Sequence, residues 1–247
     1  MTKSAAELLR GWIVAQAPEQ EGWVTTSLGA LSDGAPDRDL YIFLGLAPRK
    51  LGKADLVLDA ADIAAADRAK SGWNPREWSI DGAARVLALL TATGNRPFAE
   101  RFKDLRRTSD VSEMIALYRG LPLYPDPETM DFEVSEGLRS NIRAVFEAIA
   151  HNNPFPRDHF DEHRWNHMIL KALFVGSTLS PILGLRDRAN PELARILLDY
   201  AEERWAAGRM VTDELWIPVS PFKDDPAIAG HLNEAIRKGH LTKEALL

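Results

Sequence analysis

The densest concentration of chemistry-bearing side chains runs from His151 to Gly176, HNNPFPRDHFDEHRWNHMILKALFVG, and holds four of the six histidines of the chain. His159, His163 and His167 step by four and Lys171 continues the step. On one helix, four residues advance about 40°, so the stripe would span about 120° of a single face. Histidines at i and i+4 can chelate a divalent metal, and His159-Phe160-Asp161-Glu162-His163 reads H-x-x-E-H, the inverted zinc-peptidase string, so a metal-dependent hydrolase would use His159, His163 and Glu162. A metal-free enzyme would instead use Lys171 as its base. The competing reading is an amphipathic helix turning its polar side to water. Lys171 sits among Met168, Leu170 and Phe174, so it must snorkel out, pair with an acid, or carry a lowered pKa suited to anion binding.

A second polar anomaly lies in ANPELARILLDYAEERWAAGR. Asn190 and Pro191 form a helix start and Gly208 a stop. Arg204 falls on the apolar stripe of Leu197, Tyr200 and Ala201, where a helical wheel places it inside. It either lines a pocket for an anion or satisfies the last carbonyls of its own helix. Asn141 borders Leu138 and Val145 and is a pocket candidate. Glu136, Arg139, Arg143 and Glu147, and likewise Asp81 with Arg85, read as ion pairs on solvated faces. Seven tryptophans, Trp165 and Trp205 among them, could line an aromatic ligand site or fill a core. No nucleophile elbow, phosphate loop or dinucleotide fingerprint is present.

These residues must be positioned by helices. Ala and Leu number 64 in the 247 residues, against 33 for Val, Ile and Thr together, a balance that favours helix over sheet. Periodicity and capping predict helices near 4–17, 19–32, 37–46, 55–69, 75–91, 110–117, 132–151, 157–176, 191–207 and 225–238, with a turn near 212–217. Leu121 to Pro127 should be extended, because each proline pushes its predecessor out of the α region. The expected fold is all-α: about ten helices in antiparallel pairs, HEAT-like in one form, with no significant sheet. It forms one domain over 1–247, with a subdomain boundary at 121–127 as an option.

The absence of cysteine excludes disulfides, thiolate metal sites and cysteine nucleophiles, and restricts any metal to His and carboxylate ligands. Net charge −6 argues against nucleic acid as the main partner, which calls for concentrated positive surface. No apolar run reaches the length of a membrane span and the N-terminus lacks a signal-peptide core. A cytoplasmic protein is expected.

Eight strings, read in order, resemble the EboA family: APRKLG at 47–52, GWNPREWSIDGAARVLALL at 72–90, MIALYRGLPLYPDPE at 114–128, EGLRSN at 136–141, NPFP at 153–156, FDEHRWNHMILKALF at 160–174, GLRDRANPELARILLDYAEERWAAGR at 184–209 and ELW at 214–216. The resemblance covers about 40 to 222. It implies a bacterial gene cluster that moves a small metabolite or its precursor, alongside a prenyltransferase-like membrane protein and metal-dependent hydrolase-like or isomerase-like proteins. The family motif falls on Glu136, Arg139, Asn141, Trp165, Asn166, Lys171, Arg188, Asn190, Glu203, Arg204, Trp205 and Arg209. His167 departs from it, the family position being commonly Gln, which sets the three-histidine metal site apart from the family pattern.

The resulting expectation is a cofactor-free helical protein that binds or hands over a small metabolite, prenylated or aromatic, through Asn141, Trp165, Asn166, Lys171, Arg204 and Trp205. A scaffold for the other cluster proteins, with peripheral contact to a membrane partner, is the alternative. A metal-dependent hydrolase or isomerase using His159, His163 and His167 is the second alternative.

Overall fold

The structure is a computed structural model that describes residues 3–242. Among the described residues there are thirteen α-helices and no strand, only one isolated bridge between Asp55 and Ser79. The all-α expectation therefore holds. The chain divides into two compact units, Met1–Phe155 and Pro156–Leu247, and the Pro-rich stretch 121–127 lies inside the first.

The first unit contains α1 (Ala5–Gln16), α2 (Glu21–Ser32), α3 (Asp37–Leu51), α4 (Ala60–Ala69), α5 (Ile80–Thr91), α6 (Phe98–Thr108), α7 (Val111–Arg119), α8 (Asp131–Arg139) and α9 (Arg143–Ala150). Its axis is α5, which packs against α1, α3 and α7. Every residue from Ile80 to Leu89 is buried. The sequence explains this: Gly82, Ala83, Ala84 and Ala88 let neighbouring backbones approach, while Val86, Leu87 and Leu89 fill the gaps between them. A helix that is apolar nearly all round belongs inside. Starts are set by capping side chains. Ser4 with Glu7, Asp59 with Asp62, and Asp110 with Glu113 form reciprocal capping boxes, each satisfying two otherwise unpaired backbone donors.

Pro48 sits inside α3 instead of ending it. A proline deprives the carbonyl four residues back of its partner, which here is Leu44. The Arg85 Nε donates to that carbonyl at 3.2 Å, so the helix continues to Leu51. Asp37 is the first helical residue, with Pro36 at the cap position. Its carboxylate accepts from Arg96 at 2.6 Å and from Arg101 at 3.0 Å.

Several helix limits differ from the sequence reading. The 75–91 segment begins at Ile80, because Ser79 caps it, its side chain accepting from the Gly82 N–H. The 55–69 segment begins at Ala60 behind its Asp59 cap. The charged segment of α6 was not expected as a helix, yet Phe98, Phe102 and Leu105 form its apolar stripe, with Phe102 and Leu105 buried. Residues 121–127 are not extended throughout: Leu121–Leu123 and Pro127–Met130 form 3-10 turns, since proline is tolerated in a first turn. The single helix expected over 132–151 is two, α8 and α9. At the break, the Ser140 side chain accepts from the Ile142 N–H at 3.1 Å, a local bond that competes with helix.

The second unit contains α11 (Glu162–Phe174), α12 (Pro191–Ala206) and α13 (Pro226–Arg237), preceded by the five-residue α10 (Phe155–His159) that starts at the unit boundary. Asp161 caps α11 by accepting from the Arg164 N–H at 2.7 Å, so the helix expected over 157–176 is interrupted at Phe160. Asn190 caps α12, with Pro191 in its first turn. No helix among the described residues is long and apolar enough to cross a membrane.

Candidate functional site

In the first unit, a cavity of about 230 Å³ opens between the start of α5 and α7, lined by Lys53, Trp78, Ser79, Asp81, Gly82, Arg85, Ser112, Ile115, Ala116 and Arg119. A smaller one of about 120 Å³ shares Trp78, Ile115 and Arg119 with it and continues to Asn74, Glu77, Glu147, Ala148 and the loop His151–Asn153. The shared side chains form a common wall. Trp78 is held by the aromatic cluster beneath it, its ring 5.9 Å from Trp73, which in turn lies 5.8 Å from Trp12.

The charges around the larger cavity are not the solvated pair that the sequence suggested. Asp81 and Arg85 are 3% and 4% exposed. Spacing of four on a helix gives the same pattern on either face, and only the neighbours of α5 put this pair inside. Arg85 is consumed by structure: Nη1 donates to Asp81 Oδ2 at 3.1 Å, Nε to the Leu44 carbonyl, and Nη2 lies 3.8 Å from Glu113. Asp81 is only half satisfied, because Oδ1 is buried and has no hydrogen-bond partner. A buried acceptor left unmet costs about 1–3 kcal/mol.

Arg119 stands at the end of α7 and lines both cavities. One of its nitrogens, Nη1, donates to the Glu77 carbonyl at 2.6 Å. Burial pulls the guanidinium below its ordinary pKa, opposed by the charges of Glu77 and Asp55, and it stays a cation. Across the smaller cavity, Asn153 is buried and donates to the carbonyls of Tyr118 and Ala148, both at 3.0 Å, while its Oδ1 accepts from the Phe155 N–H. Asn152 beside it adopts a left-handed conformation, φ 49°, a conformation a non-glycine residue rarely holds. The loop is thus fixed by its asparagines.

The residues singled out from sequence lie mostly elsewhere. Asn141 is exposed in the break between α8 and α9 and lines neither cavity. Glu136 and Arg139 pair at 2.7 Å on α8, and Arg143 and Glu147 pair at 2.7 Å on α9, so the four do not share one face.

In the second unit, Asn166 is 2% exposed and exchanges side-chain amide bonds with Asn190, at 3.2 and 2.9 Å. Because Asn190 also accepts from the Leu193 N–H at 2.8 Å, the amide pair ties α11 to the first turn of α12. Trp165 is fully buried, with the Arg188 guanidinium 4.6 Å above its ring. Arg188 donates to the carbonyls of Pro156, Arg157 and Phe160, closing the end of α10. Lys171 is half-buried, and burial lowers its amine below the ordinary lysine value. Glu162 is exposed in the first turn of α11.

Arg204 is also half-buried. Its Nη2 donates to the Met210 carbonyl at 3.2 Å, just beyond its own helix, while Nε is buried without a partner. Trp205 stacks on Trp216 and on His240, at 6.1 and 4.9 Å between ring centres.

The histidine stripe is not built as a three-step face. His159 ends α10, whereas His163 and His167 lie on the exposed side of α11 with ring centres 4.3 Å apart. Among the described residues, no group of three or more His, Asp or Glu is gathered as a metal ion would require.

Sequence reasoning missed the cavity. The signal available was the pairing of Asp81 and Arg85 within an Ala-rich, otherwise apolar helix, and the tryptophan spacing of Trp73 and Trp78 just before it.

One family model, described as "Metabolite traffic protein EboA", matches residues 5–220. Comparison with curated proteins and with solved structures finds no match.

Proposed function

Since the chain belongs to the EboA family of metabolite traffic proteins, we propose that it binds a small metabolite and hands it on, and that the cavity between α5 and α7 is where the compound rests. One observation carries this reading. A cavity walled by a tryptophan and an isoleucine also exposes a guanidinium and borders a buried carboxylate with one oxygen unmet, the mixture of apolar wall and few polar groups that small-molecule sites show. The role proposed is carriage of the compound. In the wider picture the metabolite belongs to a biosynthesis and export cluster, and the other cluster proteins are its source and destination.

Ser112 offers a clean test. It is exposed at the rim, in the first turn of α7, so a Ser112→Trp substitution would fill the opening without disturbing the core. Small molecules extracted from wild-type protein purified from its source cells should be missing from the S112W protein, while thermal midpoints agree within about 2 °C. Identical extracts from both proteins, or none from either, would remove the cavity as the binding site.

A further inference from the structure

The charges around the larger cavity are unevenly committed. Arg85 is spent on Asp81, Glu113 and the Leu44 carbonyl. Arg119 has no ion-pair partner among the described residues and uses one of five N–H donors, on the Glu77 carbonyl. Lys53 lines the same cavity from an exposed position. After Arg85 and Asp81 cancel, two cations face the larger cavity. The smaller cavity is lined by the side chains of Glu77 and Glu147 as well as by Arg119, so an anion meets favourable potential on one side of the common wall only. A guanidinium drawn partly out of water and lacking a carboxylate is a cost to the free protein, and an anionic ligand would offset it.

Size narrows the ligand further. A cavity of roughly 150 Å³ accommodates benzene, so the 230 Å³ available here suits one ring with a charged substituent. Resting on the cavity as the binding site, we infer that the compound is a small anion with a flat apolar body, its carboxylate or phosphate held by Arg119 with Lys53 alongside, and its ring against Trp78 and Ile115. Arg119 supplies two parallel N–H donors to a planar carboxylate; Lys53 adds a point charge that does not depend on the shape of the anion.

Three probes separate charge from shape, titrated calorimetrically into the full-length protein: benzoate and benzamide, which match in size, and the somewhat larger phenyl phosphate. Benzoate and phenyl phosphate should bind at least about tenfold more tightly than benzamide, and Arg119→Met should bring all three within about twofold of one another. Lys53→Met, an exposed change, should weaken both anions about two- to fourfold and leave benzamide unaltered. Should Arg119→Met lower the thermal midpoint enough to obscure its effect, salt provides the same discrimination: anion affinity should fall between about 0.05 and 1 M salt while that of benzamide stays level.

Benzamide binding as tightly as benzoate would overturn the inference, as would an anion preference that survives Arg119→Met in a protein that melts like wild type. If that happens while S112W still abolishes co-purified compounds, the cavity stands and only the anion is wrong. If no probe binds at about 10 mM and S112W changes nothing, the cavity itself is not the site.

Discussion

At the scale of single residues, the informative side chains are those whose polar groups are taken out of water. Arg85 meets three partners from three helices, and each is lost if the guanidinium is removed. Arg85→Met should cost about 3–5 kcal/mol in urea-induced unfolding, because it strands Asp81 as an unpaired buried carboxylate. Replacing both members, Arg85→Met with Asp81→Leu, should recover most of that loss, since an apolar pair of similar volume avoids the desolvation of two ions. A single variant within about 1 kcal/mol of wild type would show that the pair is not what holds α5 in place. In the second unit, Asn190→Ala removes a cap and one half of the amide pair with Asn166. It should cost about 1–2 kcal/mol, and Asn166→Asp, which reverses the donor of that pair, should be destabilising even though the side chains match in size. Both losses would appear as lowered unfolding midpoints, and an unchanged midpoint for Asn190→Ala would contradict the role given to the pair.

Elements explain where sequence patterning succeeds and where it stops. Helix starts were legible at two of the capping boxes, Ser4–Glu7 and Asp110–Glu113, because both partners of the interaction are local; at the third, Asp59–Asp62, the alanine-rich pattern upstream drew the expected start forward to 55. Breaks inside long polar stretches were not. Ser140-Asn141 and Phe160-Asp161 interrupt segments whose periodicity continues on both sides, and a periodic pattern cannot by itself distinguish one helix from two. Pro48 shows the opposite error: locally it signals a stop, but a donor from α5 satisfies the carbonyl that it orphans. That contact spans 41 residues, beyond the reach of any sequence window. The coupling has a measurable size. Pro48→Ala returns an N–H to the Leu44 carbonyl, so the cost of losing Arg85 should shrink by about 1 kcal/mol in that background. A double-mutant cycle measured by urea unfolding checks this; strictly additive effects would mean that the Nε bond contributes nothing to the continuation of α3.

For the whole molecule, composition conveyed the class and little of the chemistry. The excess of Ala and Leu foretold helices, and the alanines of α5 are what allow it to lie at the centre of the first unit. The candidate site depends on contacts among α3, α5 and α7, so no single segment of sequence announces it. The surface charges make a separate, global prediction about acid. Glu7 is lowered chiefly by hydrogen bonds from the Ser4 backbone and side chain, Asp104 by Arg96, and Glu192 by Arg195; Glu234 is held at about 2 by Arg237 and then Lys238. In each case the folded state binds its proton less readily than the unfolded chain. Their contribution is therefore complete above the ordinary carboxylate value of 4.5 and disappears as pH falls through the folded values, down to about 2 for Glu234. Glu7 and Glu192 are exposed and Asp104 and Glu234 are partly so, so salt should screen the effect. Thermal midpoints should be level between about pH 7 and 5, then fall between about pH 4.5 and 2, with a shallower fall at about 1 M salt than at low ionic strength. A decline that is equally steep at both salt concentrations would assign acid sensitivity to buried groups instead of to these surface pairs.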